Sequence, residues 1–90
     1  MFTWHELKRQ ENLDKHGIDF DDAQLIFAGY TVTAEDSREA YGEPRLLTLG
    51  LLHGVVVSVT HTPRGDDDHI ISIRKATKYE RRFYFSQIPD

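Results

Sequence analysis

The sequence predicts an α+β fold: N-terminal helices, then an antiparallel β-meander, then a C-terminal helix packed on the sheet. Three observations carry this. Apolar residues recur at helical spacing between positions 20 and 27, two runs rich in Val, Leu and Thr are separated only by His53-Gly54, and Thr77 with Glu80 heads an aromatic-rich segment. Helical and strand-like segments come in blocks rather than in alternation, which marks α+β rather than α/β.

Taken in order, Thr3 and Glu6 have the spacing of a capping box and open a helix through about residue 15. Its apolar content is thin, limited to Trp4, Leu7 and Leu13, and His16-Gly17 ends it, Gly being suited to the left-handed residue that closes a helix. Asp19 is placed to cap a second helix, with Asp21 and Asp22 in the first turn, where the helix dipole favours anions. Phe20, Ala23, Ile26 and Phe27 share one face of it, and Ala28-Gly29 closes it. Residues 30–33 read as a strand and 35–44 as a loop containing Tyr41-Gly42-Glu43. Residues 45–52 and 55–62 form a hairpin about His53-Gly54, since two-residue loops with Gly require positive φ, which His tolerates. Residues 62–68 read as a turn and 70–74 as a third long strand, with Ile71 and Ile73 on one face and Ser72 and Arg74 on the other. A last helix runs from Lys78 to about residue 87, with Tyr79, Phe83 and Tyr84 placed to lie on the sheet.

The 90 residues are 39% hydrophobic and 29% charged and contain no Cys, so one domain over 1–90 is expected. At this size about two-thirds of the unfolded chain's surface is buried on folding, which leaves no depth for a large cofactor, and none is expected. The lack of Cys excludes thiolate zinc sites, iron–sulfur clusters and thiol nucleophiles. No apolar run approaches the ~18 residues of a membrane span. The start, Met1-Phe2-Thr3-Trp4-His5-Glu6, turns charged where a secretory leader is apolar, so the cytoplasm is the expected compartment. The run Asp66-Asp67-Asp68-His69 fits no metal-ligand spacing and reads as a solvated hairpin tip, and the six Gly are scattered with no phosphate-loop pattern.

The net charge of −4 disfavours phosphate binding overall, but its distribution is uneven. Residues 1–44 hold four basic and ten acidic side chains, whereas residues 69–82 hold five basic and one acidic. The C-terminal half therefore suits a phosphate backbone. The acidic helices, with Glu6, Glu11, Asp14, Asp21 and Asp22, suit either a basic protein partner or plain solvent.

Several segments together resemble one family. These are Trp4-His5-Glu6-Leu7-Lys8 with Asn12, Lys15-His16-Gly17, Asp36-Ser37-Arg38, Tyr41-Gly42-Glu43-Pro44-Arg45, Leu49-Gly50, Thr62 with Arg64, Ile70-Ile71-Ser72-Ile73-Arg74-Lys75-Ala76-Thr77 and Glu80-Arg81-Arg82-Phe83-Tyr84. In this order they are similar to the BrnT toxins of bacterial type II toxin–antitoxin systems, and they cover nearly the whole chain. The resemblance implies a RelE-like fold and a metal-independent ribonuclease that inhibits translation. It also implies a cognate antitoxin with a DNA-binding domain, a hetero-oligomeric complex, and contact with operator DNA only through the antitoxin. The sequence departs from the family pattern at His5, where Asp is usual, at His61, where Tyr is common, and at Pro63, often Glu or Trp.

RNA supplies its own nucleophile in the 2′-hydroxyl, so such an enzyme needs a base, cations for the phosphorane and an acid for the leaving oxygen. Arg64 and Arg74 are the expected phosphate clamp, meeting across an antiparallel pair if the turn between them is tight. The plainer account of Arg64 is a solvated turn charge. His61 is a candidate base or acid, and a satisfied core histidine if the face it shares with Val55, Val57 and Val59 is buried. Tyr79 is placed to stack on a base or donate a proton, or simply to pack. Lys75, Lys78 and Arg81 are candidates for phosphate contact, or a solvated helix start. His16 ranks below His61 and is suited to capping carbonyls. The rival readings are a non-catalytic interaction domain using the same surface and a decayed toxin acting as co-repressor.

Overall fold

The computed structural model describes residues 1–37 and 40–89, so Arg38 of the Asp36-Ser37-Arg38 segment lies outside the described residues. The elements are β1 (Phe2–Trp4), α1 (Glu6–His16), a 3₁₀ turn (Phe20–Asp22), α2 (Ala23–Ala28), β2 (Val32–Glu35), β3 (Leu46–Leu52), β4 (Val55–Arg64), β5 (Asp67–Lys75) and α3 (Lys78–Gln87). The sheet order is β1-β5-β4-β3-β2, antiparallel throughout except that β1 runs parallel to β5. The expected α+β architecture is present, with the C-terminal helix packed on the sheet. Among the described residues no helix is long and apolar enough to cross a membrane.

The two sheet faces are buried differently. Val57, Val59, Ile70 and Ile73 point toward Ile18, Phe20, Ala23 and Ile26, with Phe2, Trp4 and Phe27 packed at the margin. The face predicted for Phe20, Ala23, Ile26 and Phe27 is thus the one α2 buries. α2 can approach β3 this closely because Gly50 has no side chain: a Cβ there would sit 2.8 Å from Ile26 Cγ2. On the opposite face Leu49 and Val56 are covered by Tyr84 of α3.

α1 is held mostly by polar anchors, as its thin apolar pattern requires. The buried Asn12 side chain accepts from the Ile73 N–H at 3.0 Å and donates to the Ile73 and Ile18 carbonyls at 2.8 and 3.0 Å. It thereby satisfies the edge of β5 where β1 has ended, a backbone row that would otherwise lack partners. Arg9 makes a fork on Asp19, at 3.0 and 3.2 Å. Gly17, at φ 70°, closes the helix with its N–H on the Leu13 carbonyl.

Four expectations need correction. Thr3 does not cap α1: it lies in β1, an element missing from the sequence reading, and its hydroxyl is bonded to His69 at 2.9 Å. Proximity in space outcompeted the local capping pattern. The strand placed at 30–33 lies at Val32–Glu35. The stretch 62–68 is largely strand, because β4 and β5 close on a two-residue turn at Gly65-Asp66, Gly65 having φ 61°. In β5, Ile70 and Ile73 are the buried pair rather than Ile71 and Ile73. A bulge leaves Ile71 without a partner between Ile70↔His61 and Ser72↔Thr60, and one extra residue reverses the alternation. The turn at His53 (φ 50°) and Gly54 (φ 82°) and the Thr77–Glu80 capping box both form as expected.

Candidate active site

The two-residue turn at Gly65-Asp66 decides where the chemistry-bearing side chains go. It pairs Arg64 with Asp67 and Thr62 with His69, so Arg64 and His69 emerge on one face, near the end of the sheet. Beside them β1 stops at Trp4 and the chain turns into α1, bringing His5 and Lys8 to the same place. The loop before β3 completes the site. It is pinned by the Asp36 N–H on the Arg45 carbonyl (2.7 Å) and the Thr62 hydroxyl on the Pro44 carbonyl (2.5 Å), and it delivers Glu43 and Arg45. These residues line a groove of about 380 Å³.

Within the groove Glu43 lies 3.5 Å from an Arg64 Nη and 3.9 Å from Arg45 Nε, and the Arg45 guanidinium stacks 4.0 Å over the Tyr41 ring. One carboxylate therefore lies near two guanidinium groups while leaving Arg64 half-exposed. His69 is tied by Nδ1 to the Thr3 hydroxyl. In the tautomer with the proton on Nδ1 the ring donates to Thr3, and Nε2 is left with a free lone pair. Burial, and after it the Arg64 charge, hold the His69 pKa below the usual imidazole value, with His5 adding to the effect and Glu43 opposing it. The depressed pKa favours the neutral ring, the form in which an imidazole can accept a proton.

The structure does not bring the expected site residues together. Arg64 and Arg74 share a face, but Arg74 is opposite Ser58, six positions along β4 from Arg64, or roughly 20 Å at strand rise. The tight turn separates them for a simple reason: it pairs residues equidistant from the turn, and Arg74 is far too distant in sequence. Arg74 is also engaged, forming a fork on Glu80 at 2.8 and 3.0 Å, so the two-arginine clamp is not formed. His61 lies on the opposite face from Arg64, 2% exposed against Phe27. Its Nε2 is bonded to Thr48 (2.6 Å), which continues to Thr33, and its Nδ1 to Asp68 (2.7 Å). The satisfied-core alternative for His61 is the one the face supports. Tyr79 is 79% exposed, beside Val32, Leu47 and Phe83, remote from the groove. Lys75, Lys78 and Arg81 are exposed at the far end of β5 and the start of α3. Pro63 alternates onto the face away from Arg64, so a carboxylate missing there removes nothing from the groove.

His69, His5, Lys8, Glu43 and Arg45 are the groove residues that reading the sequence missed as site residues. A signal existed for His69: had 62–68 been read as strand-turn-strand about Gly65-Asp66, it would have fallen opposite Thr62 and beside Arg64. The three Asp before it diverge. Asp68 serves His61, Asp67 meets the N-terminal amine at 3.6 Å, and Asp66 is exposed. Among the described residues no group of three or more His, Asp or Glu is arranged to hold a metal.

The Arg74–Glu80 pair is structural and titrates. Arg74, and then the Thr77 backbone, hold the Glu80 carboxyl below its usual value. A depressed carboxyl contributes stability in full above its unfolded value and loses it as pH falls through the folded one. Arg74→Ala is therefore expected to cost about 1–2 kcal/mol at pH 7, the pair being partly exposed, and the difference from the parent should shrink below pH 4. Urea unfolding at pH 7 and pH 3 checks this.

No curated protein matches the chain. The family model described as the ribonuclease toxin, BrnT, of type II toxin–antitoxin systems matches residues 4–80, which include every groove residue from Trp4 to Ile71. The match takes in most of the chain, and the chain belongs to this family of ribonuclease toxins.

Proposed function

We propose that this protein is a cytoplasmic, metal-independent endoribonuclease that cuts RNA in the Arg64–His69 groove. The observation that carries the reading is His69, bonded through Nδ1 to the Thr3 hydroxyl and with its pKa held below the usual imidazole value, beside a half-exposed Arg64. His69 Nε2 takes the proton of the 2′-hydroxyl, whose oxygen attacks the adjacent phosphorus. Arg64 and Lys8 stabilise the added charge on the phosphorane oxygens. His5, exposed at the start of α1 and making no cap bond, delivers a proton to the departing 5′-oxygen as the P–O5′ bond breaks. The products are a 2′,3′-cyclic phosphate and a 5′-hydroxyl. Glu43 positions Arg64.

Cleavage of cellular RNA by this route inhibits translation. A cognate antitoxin with a DNA-binding domain neutralises the toxin by covering the groove, in a hetero-oligomer that reaches operator DNA through the antitoxin. Purified protein incubated with RNA in excess EDTA tests the reaction. Cleavage should persist, yield cyclic-phosphate ends and fall about 10²-fold in Arg64→Ala. Chelator-sensitive cleavage, or products ending in 3′-hydroxyls, would overturn it.

A further inference from the structure

Two further grooves continue the active-site groove along the seam between α1 and β5. The first, about 180 Å³, shares Lys8 and Ile71 with it and extends to Lys15 and His16. The second, about 500 Å³, shares Lys15 and His16 with the first and ends at Lys75, Ala76 and Thr77. The helix dictates this line. Lys8 and Lys15 are seven residues apart, two turns along the same side of α1, so their Cα atoms stand about 10 Å apart. On the opposite wall Lys75 is six residues from His69, about 20 Å along β5. Lys8, Lys15 and Lys75 are all exposed, and among the described residues the only carboxylate lining the two added grooves is Glu11, whose 3.6 Å contact with Lys8 is solvent-exposed and weak. The Ile71 bulge helps to open the seam, because it takes that side chain out of the sheet's alternation and into the wall shared by the first two grooves.

We infer that this seam is a single-strand RNA track, in which Lys8 joins Arg64 at the scissile phosphate and Lys15 and Lys75 each hold a phosphate further along the strand. The inference rests on the reading of the groove as the place where RNA is cut. The length of roughly 20 Å accommodates about four nucleotides, the short end of single-strand footprints. One line of cations matches one phosphate backbone, so the track suits unpaired RNA. The track also reconciles an overall negative charge with a nuclease, because cations are gathered along one seam where, among the described residues, Glu11 is the one carboxylate in the added grooves.

Binding of fully 2′-O-methylated oligonucleotides, which lack the nucleophile, separates the track from the chemistry. By fluorescence anisotropy across a salt series, a hexanucleotide should bind with a log–log salt slope near −2, about 0.7 per phosphate held. The double variant Lys15→Ala/Lys75→Ala should lose about 1.4 of that slope and bind the hexanucleotide at least tenfold more weakly, with an unchanged unfolding midpoint. Glu11→Gln should tighten binding. An unaltered slope and affinity in the double variant, or a parent protein that shows no salt-sensitive binding, overturns the track. If the hexanucleotide binds as described but ordinary RNA is left intact, the track stands and the catalytic reading falls.

Discussion

His69→Ala is expected to lower RNA cleavage by about 10²–10⁴-fold, the range for losing a positioned general base, with little change in the unfolding midpoint. The ring is only partly buried and among the described residues its one bond is to Thr3, so little of the fold depends on it. The pH profile supplies a readout that mere structural damage would not move. Burial and Arg64 depress the His69 pKa, so the acid limb of kcat/KM should lie below the ~6.5 of an ordinary imidazole. Protonation removes the base, so activity falls as pH drops through that value. Arg64→Ala removes one cause of the depression, and the residual activity should show its acid limb shifted upward. A His69→Ala protein that cleaves within threefold of the parent would remove His69 from the reaction.

The largest stability effect is expected at Asn12. Asn12→Leu strips partners from the Ile73 N–H and from the Ile73 and Ile18 carbonyls, in a position only 6% exposed. Buried groups left unpaired cost about 1–3 kcal/mol each, and relaxation will recover some of it, so a loss of about 3–5 kcal/mol is expected. That is a large part of the 5–15 kcal/mol typical of a domain. Leu13→Ala, one residue on at a 40% exposed site, should cost less than about 1 kcal/mol. Urea titration of the two variants checks the contrast. If Leu13 proved the costlier, α1 would be held by apolar packing after all.

Much of the fold was legible because it is written in local spacing. The stripe from Phe20 to Phe27, the Gly17 helix end, the His53-Gly54 hairpin and the Thr77–Glu80 box each follow from residues within a turn or two of one another, and each formed. β1 was missed because three residues carry too little periodicity, and its strand state depends on pairing with β5, sixty-six positions away.

The sequence by itself determined the order of the helices and strands that follow β1, and the family, since periodicity, capping and motif order are properties of neighbouring residues. Only the tertiary structure decided which side chains meet. A two-residue turn set Arg64 beside His69 and sent Arg74 about 20 Å away to Glu80, and strand alternation buried His61 on the other face. The parallel docking of β1 brought Thr3 to His69 and placed His5 and Lys8 at the groove. Register accounts for all three outcomes: moving a strand by one residue exchanges its faces, and no local pattern encodes register across a turn whose length is itself in question.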